Sequence, residues 1–115
     1  MNRGDVVRVQ LPPPTGPSGR EQYGARPAII IQADHAIANL FTAVIVPLTS
    51  RLIASRFVGS FIISPSSTNG LDVESVVLTH QVRAIDKRRI EKVIGRISDA
   101  EMTTLETELR GLLGL

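Results

Sequence analysis

From its fifth residue the chain alternates apolar and polar positions with period two. In DVVRVQL, Val7, Val9 and Leu11 share one face and Val6, Arg8 and Gln10 the other, which predicts a half-buried first strand. The pattern stops at Pro12-Pro13-Pro14, and PPPTGPSGREQYGA carries turn residues throughout. A loop of about 15 residues is long for a compact domain, and such loops are functional or disordered. PAIIIQA is a short β-branched apolar run that predicts a second strand, with Pro27 at its first position, where a missing N–H costs little. DHAIANL predicts a single helical turn capped by Asp34, and FTAVIVPL a third strand ending at Pro47. RFVGSFIIS predicts a fourth strand, followed by the turn PSSTNG with Gly70 available for positive φ. SVVLTHQVRAI predicts the longest strand, with Val77, Thr79, Gln81 and Arg83 on one face and Val76, Leu78, His80 and Val82 on the other.

In DKRRIEKVIGRI the helical and strand patterns compete; the segment reads as a short turn and then a strand around Lys92 to Ile97. Ser98 followed by Glu101 forms a capping-box pattern, and Met102, Leu105, Leu109, Leu112 and Leu113 continue at helical spacing. The whole predicts five or six short strands and a C-terminal helix in one domain over residues 1–115.

Composition adds limits. A content of 43% hydrophobic and 21% charged residues is that of a folded chain rather than a disordered one. Tyr23, Phe41, Phe57 and Phe61 are the only aromatic residues, so the core must be aliphatic. The absence of cysteine excludes disulfides and thiolate metal sites and points to a reducing cytoplasm. No apolar run approaches the roughly 18 to 20 residues of a membrane span, and no signal core opens the chain. A net charge of +2 favours an anionic partner only weakly.

The two histidines, His35 and His80, are isolated, and no carboxylate cluster has metal-ligand spacing, so no metal or cofactor is expected. Phosphate-binding glycine loops and a G-x-S-x-G nucleophile are likewise missing. What remains is a set of polar groups at strand ends: Arg26 opening the second strand, Thr49 and Ser50 closing the third, and Thr79, His80 and Gln81 in the long one, with Arg51 and Arg56 beside them. On pattern alone these are either ordinary strand-terminal residues or a binding site carried on a rigid sheet.

Taken in order, RGDVV, EQYGARPAIII, VIVPLTS, VVLTHQVRAID and GRISDAE resemble the MazF/PemK family of toxin endoribonucleases over nearly the whole chain. The resemblance implies an α+β, mostly β fold: a small SH3-like antiparallel barrel of the CcdB/Kid/MazF type, with short helices and a C-terminal α-helix, in a homodimer. It also implies metal-independent cutting of single-stranded RNA by attack of the ribose 2′-OH, leaving a 2′,3′-cyclic phosphate and a 5′-OH. A cognate antitoxin protein would block the RNA groove.

On that resemblance Arg26 is the electrostatic stabiliser of the phosphorane, because a planar, permanently protonated guanidinium matches the charge on its oxygens, and it is a candidate proton donor to the leaving oxygen. Pro27 holds Arg26 to extended geometry. Thr49 matches the family's catalytic threonine, with Ser50 a second contact to the same phosphate. The general base is Glu21, aligned with a family glutamate, or His80, which stands where many relatives have aspartate. The PemK-type arginine two positions before that aspartate is Leu78 here, so that acid–base pair is not carried over intact, and the alternative it leaves is a degenerate member that binds RNA or antitoxin without cutting. Gln81 is expected to read a base edge, Tyr23 and Phe57 to stack on bases, and Arg20, Arg51, Arg56 and Arg83 to contact phosphates. The CcdB family uses the same barrel to poison DNA gyrase through a C-terminal tryptophan, but this chain ends RGLLGL and contains no Trp.

Overall fold

The computed structural model describes residues 1–13 and 22–115, so Arg20 and Glu21 lie outside the described residues. Among the described residues seven strands, β1 (Asp5–Leu11), β2 (Gly24–Ile30), β3 (Thr42–Thr49), β4 (Phe61–Ile63), β5 (Ser75–Val77), β6 (Arg83–Asp86) and β7 (Ile90–Arg96), form one antiparallel sheet. Their order is β4-β5-β3-β2-β1-β7, with β6 also paired to β3. Among the described residues two α-helices, α1 (Asp34–Asn39) and α2 (Asp99–Leu113), pack with the sheet. No helix among the described residues is long and apolar enough to cross a membrane.

The centre of the sheet is buried on both faces. Val6, Ile29, Val46 and Leu48 face a core closed by Leu105 of α2, while Val7, Ile30 and Ile45 face a second core closed by Ile37 of α1 and by Ile85. This is why Ala28-Ile29-Ile30 is an unbroken apolar run, and why Val6 is buried although it shares its face with Arg8 and Gln10. The C-terminal helix starts as expected: Ser98 Oγ accepts from Glu101 N at 3.1 Å, and Glu101 Oε1 accepts from Ser98 N at 2.9 Å.

The expected long strand is in fact two, and Pro47 explains the break. Leu78 N donates to Pro47 O at 2.9 Å, but proline has no N–H to return to Leu78 O. That carbonyl accepts Gln81 N instead, also at 2.9 Å, which closes a 3-10 turn over Thr79–Gln81. The register records the insertion: Leu48 pairs with Val77 and Ile45 with Arg83, so three steps along β3 match six along its partner. The two-face alternation expected for Val76 to Arg83 therefore fails, and Val76, Val77, Leu78 and Thr79 are all buried. Strand β3 also runs past Pro47 to Thr49, because pairing to β5 resumes there.

Three further boundaries differ from expectation. Asp34 is the first residue of α1 rather than its cap; Ala33 holds the cap position, and Asp34 Oδ1 accepts from Arg3 N at 2.7 Å. In RFVGSFIIS only Phe61–Ile63 is strand, because Gly59 takes φ +84° and Ser60 N bonds Phe57 O, turning the chain. Strand β7 begins at Ile90, directly after a 3-10 turn that Asp86 caps by accepting from Arg88 N.

Gly70 does have positive φ, at +70°, and close packing enforces it as well: a Cβ there would lie 2.0 Å from the carbonyl oxygen of Ile94 in β7.

Candidate active site

Two clefts meet at Thr49. The smaller, of about 230 Å³, is bordered by Arg8, Arg26, Thr49, Ser50, Asp72 and Ser75. The larger, of about 820 Å³, is bordered by Thr49, Arg51, Arg56, Phe57, His80 and Gln81, with Gln22, Ile53, Ala54 and Leu78 completing its wall. Of these residues only Thr49 borders both.

Arg26 and Thr49 come together because of where β2 and β3 part. Their last pair is Ala28 with Pro47, and the same register continued two residues sets Arg26 opposite Thr49. Beyond that pair β2 no longer follows β3, whose other edge pairs Thr49 with Val76 of β5, and the smaller cleft is bordered by Arg26 of β2 and Thr49 of β3 at this point. Arg26 Nε donates to Tyr23 O at 3.1 Å, and no described carboxylate pairs with the guanidinium. Its terminal nitrogens are thus left to carry positive charge into the cleft.

Thr49 is buried, and its Oγ1 accepts from Arg51 N at 3.3 Å. The hydroxyl oxygen has one acceptor site engaged by the backbone, which leaves its proton to be donated outward. Ser50, exposed next to it, borders the same cleft.

The 3-10 turn imposed by Pro47 moves His80 and Gln81 out of the sheet and into the larger cleft. The Phe57 and His80 rings are 4.8 Å apart between centroids and tilted by 44°. Burial lowers the His80 pKa from its ordinary 6.5, so the ring is neutral at pH 7. Its Nδ1 is buried and has no hydrogen-bond partner among the described residues. Gln81 Oε1 accepts from Gln22 N at 2.8 Å, which ties the segment just before β2 to the turn. The cleft thus offers an apolar wall with an aromatic edge, a neutral imidazole, two amides and two arginines.

The other expected residues scatter. Arg83 borders a third depression, of about 420 Å³, together with His80 and Gln81. Tyr23 is exposed and borders none of these three clefts; its contribution is the carbonyl that holds Arg26. Glu21 and Arg20 lie outside the described residues. Gln22, Ile53, Arg8 and Asp72 were not singled out from the sequence. Arg8 had a signal there, as a charge on the polar face of the first strand. Asp72, in a turn with no periodicity, had none. No group of three or more His, Cys, Asp or Glu side chains gathers among the described residues.

Residues 2–113 match the family of PemK-like, MazF-like toxins of type II toxin-antitoxin systems. The chain is 32% identical to endoribonuclease MazF of Staphylococcus saprophyticus over 115 residues, covering 100% of this chain and 92% of that protein. The crystal structure of MazF from Deinococcus radiodurans superposes with a TM-score of 0.80 at 25% identity, over 100% of this chain and 97% of that one. A mycobacterial endoribonuclease in complex with its cognate antitoxin has a TM-score of 0.76 at 24% identity, covering 100% and 96% of the two chains, a likeness of fold.

Proposed function

Because the chain belongs to the PemK-like, MazF-like toxin family, we propose that it is a cytoplasmic endoribonuclease that cuts single-stranded messenger RNA by attack of a ribose 2′-OH on the adjoining phosphate. The observation that carries this reading is the junction of the two clefts at Thr49, with Arg26 in the smaller one.

Attack by the 2′-oxygen concentrates negative charge on the non-bridging phosphate oxygens. The Arg26 guanidinium, with no carboxylate partner among the described residues, stabilises that charge, and the Thr49 hydroxyl donates to one oxygen and fixes the phosphate. Ser50 is a second donor beside it. Because the nucleophile belongs to the RNA itself, the reaction needs no metal-activated water. A nucleobase next to the cut enters the larger cleft, where Phe57 stacks and Gln81 and neutral His80 read its edge, with Arg51 and Arg56 on the flanking phosphates.

A cognate antitoxin neutralises the enzyme by covering these clefts, and two chains form a homodimer. Exposed Ile53, Phe57 and Val58 near the larger cleft supply apolar surface for a partner, as do Leu113 and Leu115 at the end of α2. Light scattering at micromolar concentration reads the dimer directly.

The test of the reaction is incubation of a long messenger transcript with the protein in excess chelator, followed by mass spectrometry of the ends. Discrete cuts bearing 2′,3′-cyclic phosphate and 5′-OH termini are expected. Intact RNA, or 5′-phosphate ends, would overturn the proposal.

A further inference from the structure

The smaller cleft holds one carboxylate among the described residues that border it, that of Asp72. Attack by a 2′-OH requires a group that accepts its proton. The cleft's other functional groups are unsuited: guanidinium ions have no acceptor, and hydroxyls are weak bases. His80 borders the other cleft.

Asp72 is exposed and its side chain has no hydrogen-bond or ion-pair partner among the described residues, yet the residues on either side of it are held. On one side Leu71 is buried in the core, and its N–H donates to Asn69 Oδ1 at 3.0 Å. Asn69 is itself fully buried and donates to Ser64 O at 2.9 Å, while Gly70 packs against β7. On the other side buried Ser75 donates to Val73 O at 3.1 Å. On so short a bridge, tied at both ends, the backbone that carries the carboxylate is restrained beside the cleft. Arg8 and Arg26 border the same cleft and offset the repulsion between this carboxylate and a bound phosphate.

The geometry points to Asp72 as the general base of the cleavage step, an assignment that rests on the endoribonuclease reading. The 2′-oxygen forms its bond to phosphorus as the P–O5′ bond breaks. The 2′-OH proton passes to a carboxylate oxygen of Asp72, and the departing 5′-oxygen takes a proton from water.

The test compares Asp72→Asn with the parent on an oligoribonucleotide carrying the mapped cut sequence, and on the same oligonucleotide with sulfur in place of the scissile 5′-oxygen. A thiolate leaves without protonation, so the sulfur substrate restores a variant that lacks an acid but not one that lacks a base. The single-turnover rate is expected to fall about 10²-fold or more on both substrates. Binding of the oligonucleotide with a 2′-O-methyl group at the cut site stays within about twofold of the parent. A parental rate on the oxygen substrate, recovery on the sulfur substrate, or loss of 2′-O-methyl RNA binding would each overturn the assignment. A parent that leaves the RNA intact would instead sink the endoribonuclease reading on which it rests.

Discussion

Phe57 and His80 lie ring against ring, 4.8 Å between centroids, although one comes from the turn before β4 and the other from the turn between β5 and β6. The contact partly shields the imidazole from water, and that burial lowers the His80 pKa below 6.5. In the folded protein His80 therefore binds its proton at lower pH than in the unfolded chain. Its contribution to stability is fully present above the unfolded value of 6.5 and is lost as pH falls through the folded one. Denaturant unfolding from pH 7.5 down to 5 is expected to show a stability decrease that His80→Gln reduces. An NMR titration should place the His80 midpoint below 6.5, and a midpoint at or above it would contradict the burial argument.

Thr49 separates the two clefts, so its substitutions distinguish packing from chemistry. Thr49→Val keeps the shape but removes the acceptor for Arg51 N and the donor for a phosphate. Its cleavage rate should fall about ten- to a hundred-fold. The stability cost is about 1 kcal/mol, that of one hydrogen bond. Thr49→Ser, which keeps the hydroxyl, should retain most activity in the same single-turnover assay.

Pro47→Ala restores a backbone N–H opposite Leu78 O, which then competes with Gln81 N for that carbonyl. Hydrogen exchange at the Gln81 amide should speed up. The preferred cut sequence should broaden, because His80 and Gln81 are no longer held in the larger cleft. Unchanged protection of Gln81 would show that the turn forms without the proline.

Gly70→Ala should destabilise the protein by more than about 2 kcal/mol in chemical denaturation. A methyl group there meets the Ile94 carbonyl, and the φ of +70° is unfavourable for any side chain. An alanine variant of parental stability would mean that β7 yields easily.

Much of this architecture could be read from the chain itself. Strand β1 and helix α2 were legible because each follows a single period and the helix carries a complete capping box. Arg26 and Thr49 were legible through a resemblance of motifs, and the register explains why residues 23 positions apart in sequence share a cleft. The turn at Thr79–Gln81 was hidden, because its cause is a missing donor on another strand and β-periodicity runs through it uninterrupted. Asp72 was hidden for a related reason: its position is set by the burial of Asn69 and Leu71 on one side and Ser75 on the other, and not by any local pattern.

The central claim is that the Arg26 guanidinium carries the transition-state charge, and the most direct measurement is the single-turnover cleavage rate of Arg26→Ala at saturating enzyme. With fold content unchanged by circular dichroism, the rate should drop about 10²- to 10³-fold. Arg26→Lys should recover little of it, because an ammonium lacks the planar fork. An Arg26→Ala protein that cuts as fast as the parent would contradict the account.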